Sequence, residues 1–566
     1  MPRGASPVPG RPGRRLLLVL SLLSGLLLGG WVQAADPRPA VASAHPRATQ
    51  AAMAVMAQGG NAFDAAVTLT AALAVVEPYG SGIGGGGFWL LQRGGDDRPV
   101  MLDGRETAPA AAYPEMYLDD AGELDRQRSM RGGLAAGIPG TPAALVHLAE
   151  EYGELPLAES LAPAIRLARQ GFQVDTQYRR MALFRLRDLN ADPEAREIFL
   201  RDRIPPPLGS VLRQPDLAET LEHLAEAGFD GFYRGPVAEA LVAGVRASGG
   251  LWTPDDLAGY RVVEREPVQA EVDGLRITAA TLPSAGGVGL VGFLQMLADD
   301  DLAAMSDADR VHLTAEAMRR VYRDRAAWLG DPDFVDIPME RLLSPEHARA
   351  MRADISLTEA TPSAELPLPG GEGEQTTHFS VIDANGNRVA ATLSINYPFG
   401  ATTVPPGTGV LLNNEMDDFA TVLGEGNVYG LLGTEPNRIE PGKRPLSSMT
   451  PVFLEDDCRT LIYGTPGGSR IITMVMLGAL DFTAGASPAE MVAAPRYHHQ
   501  YLPDEIQHEP GAFSRETRAA LRERGHAVNN VNRRYGDMQA VLWDRCEGTL
   551  EAASDPRGIG SALVGD

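Results

Sequence analysis

The feature that most constrains the fold is the point near Thr376, where a loop-forming composition changes abruptly into a strand-forming one. Residues 362–375 are rich in Pro, Gly and Glu, which is typical of an exposed, flexible loop. The sequence TTHFSVI that follows is β-branched and aromatic and predicts a strand. Asn385-Gly386 predicts a tight turn, and RVAATLSI predicts the returning strand. A threonine is therefore expected where a loop enters a buried sheet.

This placement of Thr376 suits nucleophilic catalysis. A threonine hydroxyl is a weak nucleophile unless a base lies beside it. If the Gln375–Thr376 bond is cut, the new α-amine of Thr376 lies next to its own hydroxyl, and its reference pKa of about 7.7–8.0 lets it act as a base near neutral pH. From this stretch alone, a plain hairpin after a surface loop remains the alternative interpretation.

Further segments follow the hairpin in a fixed order. They are NNEMDDF (413–419), NVYGLLG (427–433), KRPLSSMTP (443–451) and GTPGGSRII (464–472). Together with TTH they resemble the γ-glutamyltranspeptidase family, also called glutathione hydrolases, and the resemblance runs from about residue 40 to the C-terminus. It implies an α/β fold of the N-terminal nucleophile hydrolase type, a four-layer α/β/β/α sandwich with two sheets between layers of helices.

The resemblance also implies the catalytic residues. Thr376 would be the nucleophile, with its α-amine as the base. Ser394, where the family usually has threonine, would form a hydrogen bond with the Thr376 hydroxyl. Gly467 and Gly468 would offer backbone N–H groups as an oxyanion hole. The cleavage site would be Gln375–Thr376.

A binding pocket for a γ-glutamyl group is implied in the same way. An arginine fork would bind the α-carboxylate, acidic side chains would bind the α-ammonium, and a tyrosine in the glycine-rich segment 419–433 would cover both as a lid. The residues are Arg105 with Ser447 and Ser448 for the carboxylate, Glu415 with Asp418 for the ammonium, Asn396 as a further contact and Tyr429 for the lid. Taken singly, an arginine after a strand also fits a surface salt bridge, the acids fit a solvated turn, and the tyrosine fits an ordinary packed loop.

The N-terminus predicts export. Residues 1–34 have the pattern of a signal peptide: a basic start that includes Arg14 and Arg15, the apolar run LLLVLSLLSGLLLGG, and small residues before Ala35. The run is short for a membrane-spanning helix, which needs about 20 residues. An uncleaved anchor is the alternative, and the export route stays open. A periplasmic or extracellular protein is expected. The family resemblance further implies self-cleavage into a large subunit (35–375) and a small subunit (376–566), which would remain together as a heterodimer.

The only two cysteines, Cys458 and Cys546, each follow acidic, turn-like residues between strand-like runs. Paired hairpin turns could bring them together in an oxidising compartment, so a disulfide and two free thiols both remain open.

No metal or cofactor is expected. The histidines His498, His499 and His508 lack a known ligand spacing such as H-E-x-x-H, which favours structural roles.

The glycines in GSGIGGGGFWLL match G-x-G-x-x-G, but a strand-like FWLL follows where a dinucleotide fingerprint needs a helix. Close backbone packing at a strand start is the better interpretation of these glycines.

The net charge of −24 argues against nucleic acid and anionic membranes as partners.

The resemblance implies acyl transfer in two steps, from glutathione or another γ-glutamyl compound to water, an amino acid or a dipeptide. One alternative is a β-lactam (cephalosporin or glutaryl) acylase of the same family, and another is an inactive homologue that only binds a peptide. The preferred donor and acceptor, the ratio of hydrolysis to transfer, and the oligomeric state stay open.

Overall fold

The computed structural model describes residues 38–363 and 376–565. The predicted signal peptide (1–34) and Gln375, the residue before the expected cleavage point, lie outside the described residues. Within the described ranges, no helix combines the length and the apolar character needed to cross a bilayer.

The strands form two large antiparallel sheets and two small ones. In chain order they are β1 (Ala40–Ser43), β2 (Gly86–Gln92), β3 (Val100–Asp103), β4 (Phe172–Gln173), β5 (Val211–Leu212), β6 (Val263–Arg265), β7 (Val268–Val272), β8 (Leu275–Ala279), β9 (Thr377–Ile382), β10 (Arg388–Ser394), β11 (Val452–Glu455), β12 (Arg459–Gly464), β13 (Tyr497–His498), β14 (Ile506–His508), β15 (Val528–Asn530), β16 (Gln539–Asp544), β17 (Thr549–Ser554) and β18 (Ser561–Val564). The first large sheet has the order β18-β1-β9-β10-β2-β3-β6, and the second has the order β17-β16-β12-β11-β8-β7.

The described residues also form helices, several of which pack on the two large sheets. In chain order they are α1 (Pro46–Ala57), α2 (Ala62–Val76), α3 (Arg126–Met130), α4 (Thr141–Glu151), α5 (Leu157–Gln170), α6 (Thr176–Phe184), α7 (Leu186–Leu189), α8 (Pro193–Phe199), α9 (Pro215–Ala227), α10 (Phe229–Tyr233), α11 (Gly235–Ala247), α12 (Pro254–Gly259), α13 (Gly286–Leu297), α14 (Asp307–Trp328), α15 (Met339–Leu342), α16 (Pro345–Ala353), α17 (Ile471–Thr483), α18 (Pro488–Ala493) and α19 (Arg515–Glu523). Buried side chains of α2, α4 and α5 share one core with the first sheet, and those of α13, α14 and α17 share another with the second sheet.

The predicted hairpin is confirmed as β9 and β10, with Gly386 at a φ of +81° in the turn. Its side chains alternate between two environments, as expected for buried strands. Phe379 and Val381 pack into the core with α2, whereas Ile382 and Ala390 belong to the core that contains the second sheet. Helices on one face and a sheet on the other confirm the predicted α/β/β/α layering.

The glycine run before β2 allows two backbone segments to approach closely, as predicted. A Cβ atom on Gly85 would collide with the carbonyl oxygen of Ser394, and one on Gly84 would collide with that of Leu411. Only glycine fits at such a contact. These residues thereby hold the end of β10 against the start of β2, next to the point where the chain enters β9.

The two cysteines lie in neighbouring hairpin turns. Cys458 is between β11 and β12, and Cys546 is between β16 and β17. Because β12 pairs with β16, with Arg459 opposite Asp544, the two turns lie side by side. Cys458 and Cys546 are joined by a disulfide bond.

We expect protein purified from an oxidising compartment to contain no free thiol when titrated under denaturing, non-reducing conditions. The two cysteines are 88 positions apart, and chain-entropy models give about 4–5 kcal/mol of stabilisation for closing a loop of this size. The double variant Cys458→Ser with Cys546→Ser should therefore melt at a lower temperature than the oxidised protein and close to the reduced one. Two free thiols per chain in the exported protein would refute the bond.

Candidate active site

The entry of the chain into β9 is anchored to the end of α2. Thr377 donates a hydrogen bond from Oγ1 to Oε2 of Glu77 at 2.7 Å, and the Tyr79 hydroxyl donates to Oε1 of Glu77 at 3.0 Å. Burial raises the pKa of Glu77 to about 7. Thr376, the residue just before β9, is itself only 7% exposed. The candidate nucleophile is thus held between the sheet and a helix end.

Thr376 lines a small cavity of about 20 Å³. The lining residues are Arg105, Thr376, Ser394, Asn396, Glu415, Asp418, Tyr429, Leu431, Ser447, Ser448, Met449, Gly468 and Ile471. Among the described residues, every one predicted for catalysis or donor binding lines this cavity except Gly467. Sequence reasoning missed the apolar members Leu431, Met449 and Ile471, although each lies within or directly beside a motif segment.

Strand register brings Ser394 to the nucleophile. In the β9–β10 pair, Leu393 lies opposite Thr377, and continuing this register by one residue sets Ser394 opposite Thr376. The Ser394 hydroxyl accepts a hydrogen bond from the backbone N–H of Asn396 at 2.7 Å. Asn396 has a left-handed φ of +69° and donates from Nδ2 to the carbonyl oxygen of Asn414 at 2.8 Å. The expected hydrogen bond between Ser394 and the Thr376 hydroxyl stays a prediction.

Arg105 is fully buried, which excludes the alternative of a surface salt bridge. It follows β3, and its guanidinium forms ion pairs with Glu415 through Nη1 and with Asp418 through Nη2, the latter at 2.6 Å. Its Nε donates to the carbonyl oxygen of Pro445 at 3.3 Å. The groups predicted to bind opposite charges of the donor therefore contact each other directly.

This cluster contains more carboxyl than guanidinium groups. Glu106 lies 3.5 Å from Nη1 of Arg105, so three carboxyl groups surround one guanidinium. Burial raises the pKa of Glu415 and of Asp418, although Arg105 opposes this shift. Burial also disfavours the charged form of Arg105, but Glu415 and Asp418 more than offset it and raise the pKa of Arg105. An ammonium group is therefore a favourable addition to the cluster.

Several buried polar atoms of the cavity have no hydrogen-bond partner among the described residues. They are Oε2 of Glu415, Oδ1 of Asn396 and Oγ of Ser448. Buried polar atoms normally have partners, because an unsatisfied one costs about 1–3 kcal/mol. Two acceptors and a hydroxyl around one cavity fit a ligand that offers both N–H donors and a carboxylate.

Tyr429 lies in the wall of the cavity within the predicted lid segment 419–433. It is 3% exposed, and its hydroxyl donates to the carbonyl oxygen of Asn396. The side chain of Asn427, in the same segment, donates from Nδ2 to Oδ1 of Asp418 at 2.9 Å. The segment is thus tied to both the nucleophile side and the acidic side of the cavity, and its opening and closing as a lid stays a prediction.

Gly467 and Gly468 lie between β12 and α17. Both have positive φ angles, +147° and +55°, which favour glycine. A short 3₁₀ turn over Gly468–Arg470 leads directly into α17, so the backbone N–H groups here belong to the positive end of a helix. Gly468 lines the cavity, whereas Gly467 packs against Met474. This arrangement suits the stabilisation of a developing oxyanion.

The three histidines considered for a metal point to separate partners. His498 contacts Thr473 at 2.7 Å and Gln500 at 2.8 Å. His499 lies 3.4 Å from Asp504, and His508 contacts the carbonyl oxygen of Glu509. Across residues 38–363 and 376–565, no group of three or more His, Cys, Asp or Glu side chains is arranged to hold a metal ion.

The chain is similar to known proteins over most of its length. The chain is 42% identical over 541 residues to the glutathione hydrolase proenzyme of Pseudomonas aeruginosa, and the aligned residues cover 93% of this chain and 94% of that protein. It is 40% identical over 535 residues to the glutathione hydrolase proenzyme of Escherichia coli K12, covering 93% and 91%. The crystal structure of cephalosporin acylase from Bacillus halodurans matches with a TM-score of 0.82 at 27% identity, covering 100% of this chain and 99% of that one. The gamma-glutamyltranspeptidase family matches residues 48–565, and the chain therefore belongs to the gamma-glutamyltranspeptidase family.

Proposed function

We propose that this protein is a γ-glutamyl acyltransferase and glutathione hydrolase that uses Thr376 as its nucleophile. The observation that carries the proposal is the single cavity lined by Thr376, Arg105, Glu415 and Asp418. This lining supports the proposal, because it combines a hydroxyl with groups that would bind an α-carboxylate and an α-ammonium. The relatives named as glutathione hydrolase proenzymes support the same activity.

The reaction has two steps. The Thr376 hydroxyl attacks the γ-carbonyl carbon of the donor, the α-amine of Thr376 takes the hydroxyl proton, and the oxyanion is stabilised by the N–H groups at Gly467 and Gly468. The proton then passes to the leaving amine, which is cysteinylglycine if the donor is glutathione. Water or the amine of an amino acid or dipeptide then attacks the γ-glutamyl ester and regenerates the hydroxyl.

Donor recognition rests on charge. Arg105, with the hydroxyls of Ser447 and Ser448, would bind the α-carboxylate, and Glu415 with Asp418 would bind the α-ammonium. The donor would then share the ion pairs that Arg105 makes with the two acids. Asn396 would contact the donor, and Tyr429 would close over it.

Activity requires an α-amine on Thr376, so the nascent chain must be cut before this residue. We further propose that the Thr376 hydroxyl attacks the Gln375 carbonyl, giving an ester that water hydrolyses into subunits 35–375 and 376–566. The word proenzyme in the names of the relatives supports such processing.

Residues 1–34 would direct export to the periplasm or the cell exterior, consistent with a disulfide between Cys458 and Cys546.

A cephalosporin or glutaryl acylase is the second candidate, because the acylase of Bacillus halodurans matches the full chain. A glutaryl group has no α-ammonium. Oε2 of Glu415, which has no hydrogen-bond partner among the described residues, would then meet no N–H donor from the ligand, and a buried polar group without its partner is a strong basis for rejection. This charge argument favours the γ-glutamyl donor.

The deciding measurement is the release of a chromophore from a γ-glutamyl anilide, with and without a dipeptide acceptor, compared with release from the matching glutaryl anilide. We expect kcat/KM for the γ-glutamyl anilide to exceed that for the glutaryl anilide by at least about 10-fold, since one charge-assisted contact contributes about 1.5–3 kcal/mol. Equal values for the two anilides would favour the acylase. No release from either one would leave only a binding role for the cavity.

A further inference from the structure

A second and larger cavity, of about 660 Å³, lies among helices α13, α14, α17 and α18 and the segment before α19. It shares no lining residue with the cavity that contains Thr376. Its volume is within the range of small-molecule sites, about 300–1,000 Å³. The proposed γ-glutamyl chemistry makes no use of it. We refer to it below as the outer-helix cavity.

Much of the wall of the outer-helix cavity is apolar. Leu297 from α13, Met474 and Leu477 from α17, Met491 from α18 and Phe513 all line it. Met491 and Phe513 are buried in the protein core as well, so this part of the wall is held firmly in place. Such a surface is suited to an aliphatic or aromatic group.

Asp481, on the last turn of α17, is the exception to this apolar wall. Its side chain is partly buried and makes no hydrogen bond or ion pair with any residue in the described parts of the chain. The two arginines of the cavity already have carboxylate partners: Arg310 pairs with Asp307 at 2.6 Å, and Arg496 pairs with Asp555 at 2.5 Å. Asp481 is thus a carboxyl group that lines the cavity and forms no ion pair within residues 38–363 and 376–565, although the nearby Arg496 and Arg310 favour its charged form.

The mouth of the outer-helix cavity is acidic too. Asp273 and Asp301 line it without an ion-pair partner among the described residues, whereas Asp300 is paired with Arg352 at 2.8 Å. Fields from clustered like charges attract ligands of the opposite sign. A cation entering this mouth would meet first the exposed carboxylates and then Asp481.

We propose that the outer-helix cavity binds a small organic cation, whose ammonium or guanidinium group pairs with Asp481 and whose apolar body packs against the wall formed by α13 and α17. A carboxylate beside buried apolar surface selects for both parts of such a molecule. An anion of the same shape would be repelled, and a neutral molecule would leave Asp481 unpaired.

The test should be made at about pH 8, where Asp481 is ionised. Burial raises the pKa of Asp481 to about 6, against the opposing effect of Arg496 and Arg310. Two probes of matched length, hexyltrimethylammonium and 1-heptanol, are titrated into the full protein by calorimetry. A quaternary ammonium has no N–H and cannot accept an acyl group, so turnover at Thr376 does not consume it.

We expect wild-type protein to bind hexyltrimethylammonium at least about 10-fold more tightly than 1-heptanol, because the cation gains a Coulomb attraction to Asp481 that the alcohol lacks. Asp481→Asn should remove this preference while leaving the binding of 1-heptanol unchanged. Asp273→Asn is the matched control, because Asp273 is exposed at the mouth, and it should keep most of the preference.

The proposal is overturned if wild-type protein shows no preference for the cation, or if Asp481→Asn binds it as tightly as wild type. Cation binding that survives Asp481→Asn but is lost in Asp418→Asn would assign the probe to the cavity of Thr376. If Asp481→Asn does not fold, as judged by thermal melting, a crystal of wild-type protein soaked with the probe decides. The ammonium group must then lie beside Asp481, and density anywhere else refutes the site.

Discussion

Thr376→Ala is expected to give a single uncut chain with γ-glutamyl transfer at least about 10³-fold below wild type, as for loss of a covalent nucleophile. The variant lacks the hydroxyl that would attack the Gln375 carbonyl and the donor. Since Thr376 precedes β9, which begins at Thr377, the fold should persist. A denaturing gel, N-terminal sequencing of the smaller fragment and the anilide assay provide the measurements.

Two conservative variants separate chemistry from folding. Thr376→Ser keeps the hydroxyl and should still be cut and active, though more slowly, because it loses the methyl group that restricts χ1. Thr377→Ser keeps the hydroxyl that donates to Glu77 and should be cut as wild type. A fully active wild-type protein that stays uncut would contradict the proposed mechanism, and so would cleavage of Thr376→Ala before residue 376.

Arg105→Lys is expected to lower kcat/KM for γ-glutamyl donors by about 10- to 100-fold, chiefly through a higher KM. Lysine keeps the positive charge among Glu106, Glu415 and Asp418 but loses the planar fork that engages two partners at once. Donor binding and self-cleavage use different groups, so processing at Thr376 should proceed normally. Steady-state kinetics with the γ-glutamyl anilide and a gel of the same preparation test both statements.

Arg265→Lys is the matched control for Arg105→Lys. Arg265 also forms two ion pairs, with the buried Asp103 at 2.8 Å and with the half-exposed Asp333 at 2.6 Å, but it does not line the cavity of Thr376. The KM of the Arg265→Lys variant for the γ-glutamyl anilide should therefore stay near that of wild type, even if the free energy of unfolding falls. Equal increases of KM in both arginine variants would indicate a general loss of structure. An unchanged KM in Arg105→Lys would remove Arg105 from donor binding.

Local chemistry in the sequence is enough to predict several elements. The change of composition at Thr376, the β-branched residues after it and the Asn385-Gly386 turn predict a hairpin, and the structure has one from Thr377 to Ser394. Turn residues and strand preferences act over a few neighbours, so they can be read from a short stretch. Identification of the catalytic and donor-binding residues, by contrast, came from the ordered motifs shared with a family.

Other features depend on residues far apart in the chain. The pairing of Arg105 with Glu415 and Asp418 joins segments more than 300 positions apart, and it was not expected from motifs that assign these groups to opposite charges of a donor. The sequence left the pairing of Cys458 and Cys546 open, because it depends on β12 lying beside β16 in the second sheet.

The sequence by itself determined the local elements, the order of the motifs and the types of residue available for acyl transfer. The tertiary structure alone decided which of these residues share a cavity, and which carboxyl groups in the described parts of the chain form ion pairs and which, like Asp481, form none. The physical reason is that burial and ion pairing depend on contacts between distant segments. Local propensity extends over a few residues, whereas the pKa of a side chain depends on every group packed around it.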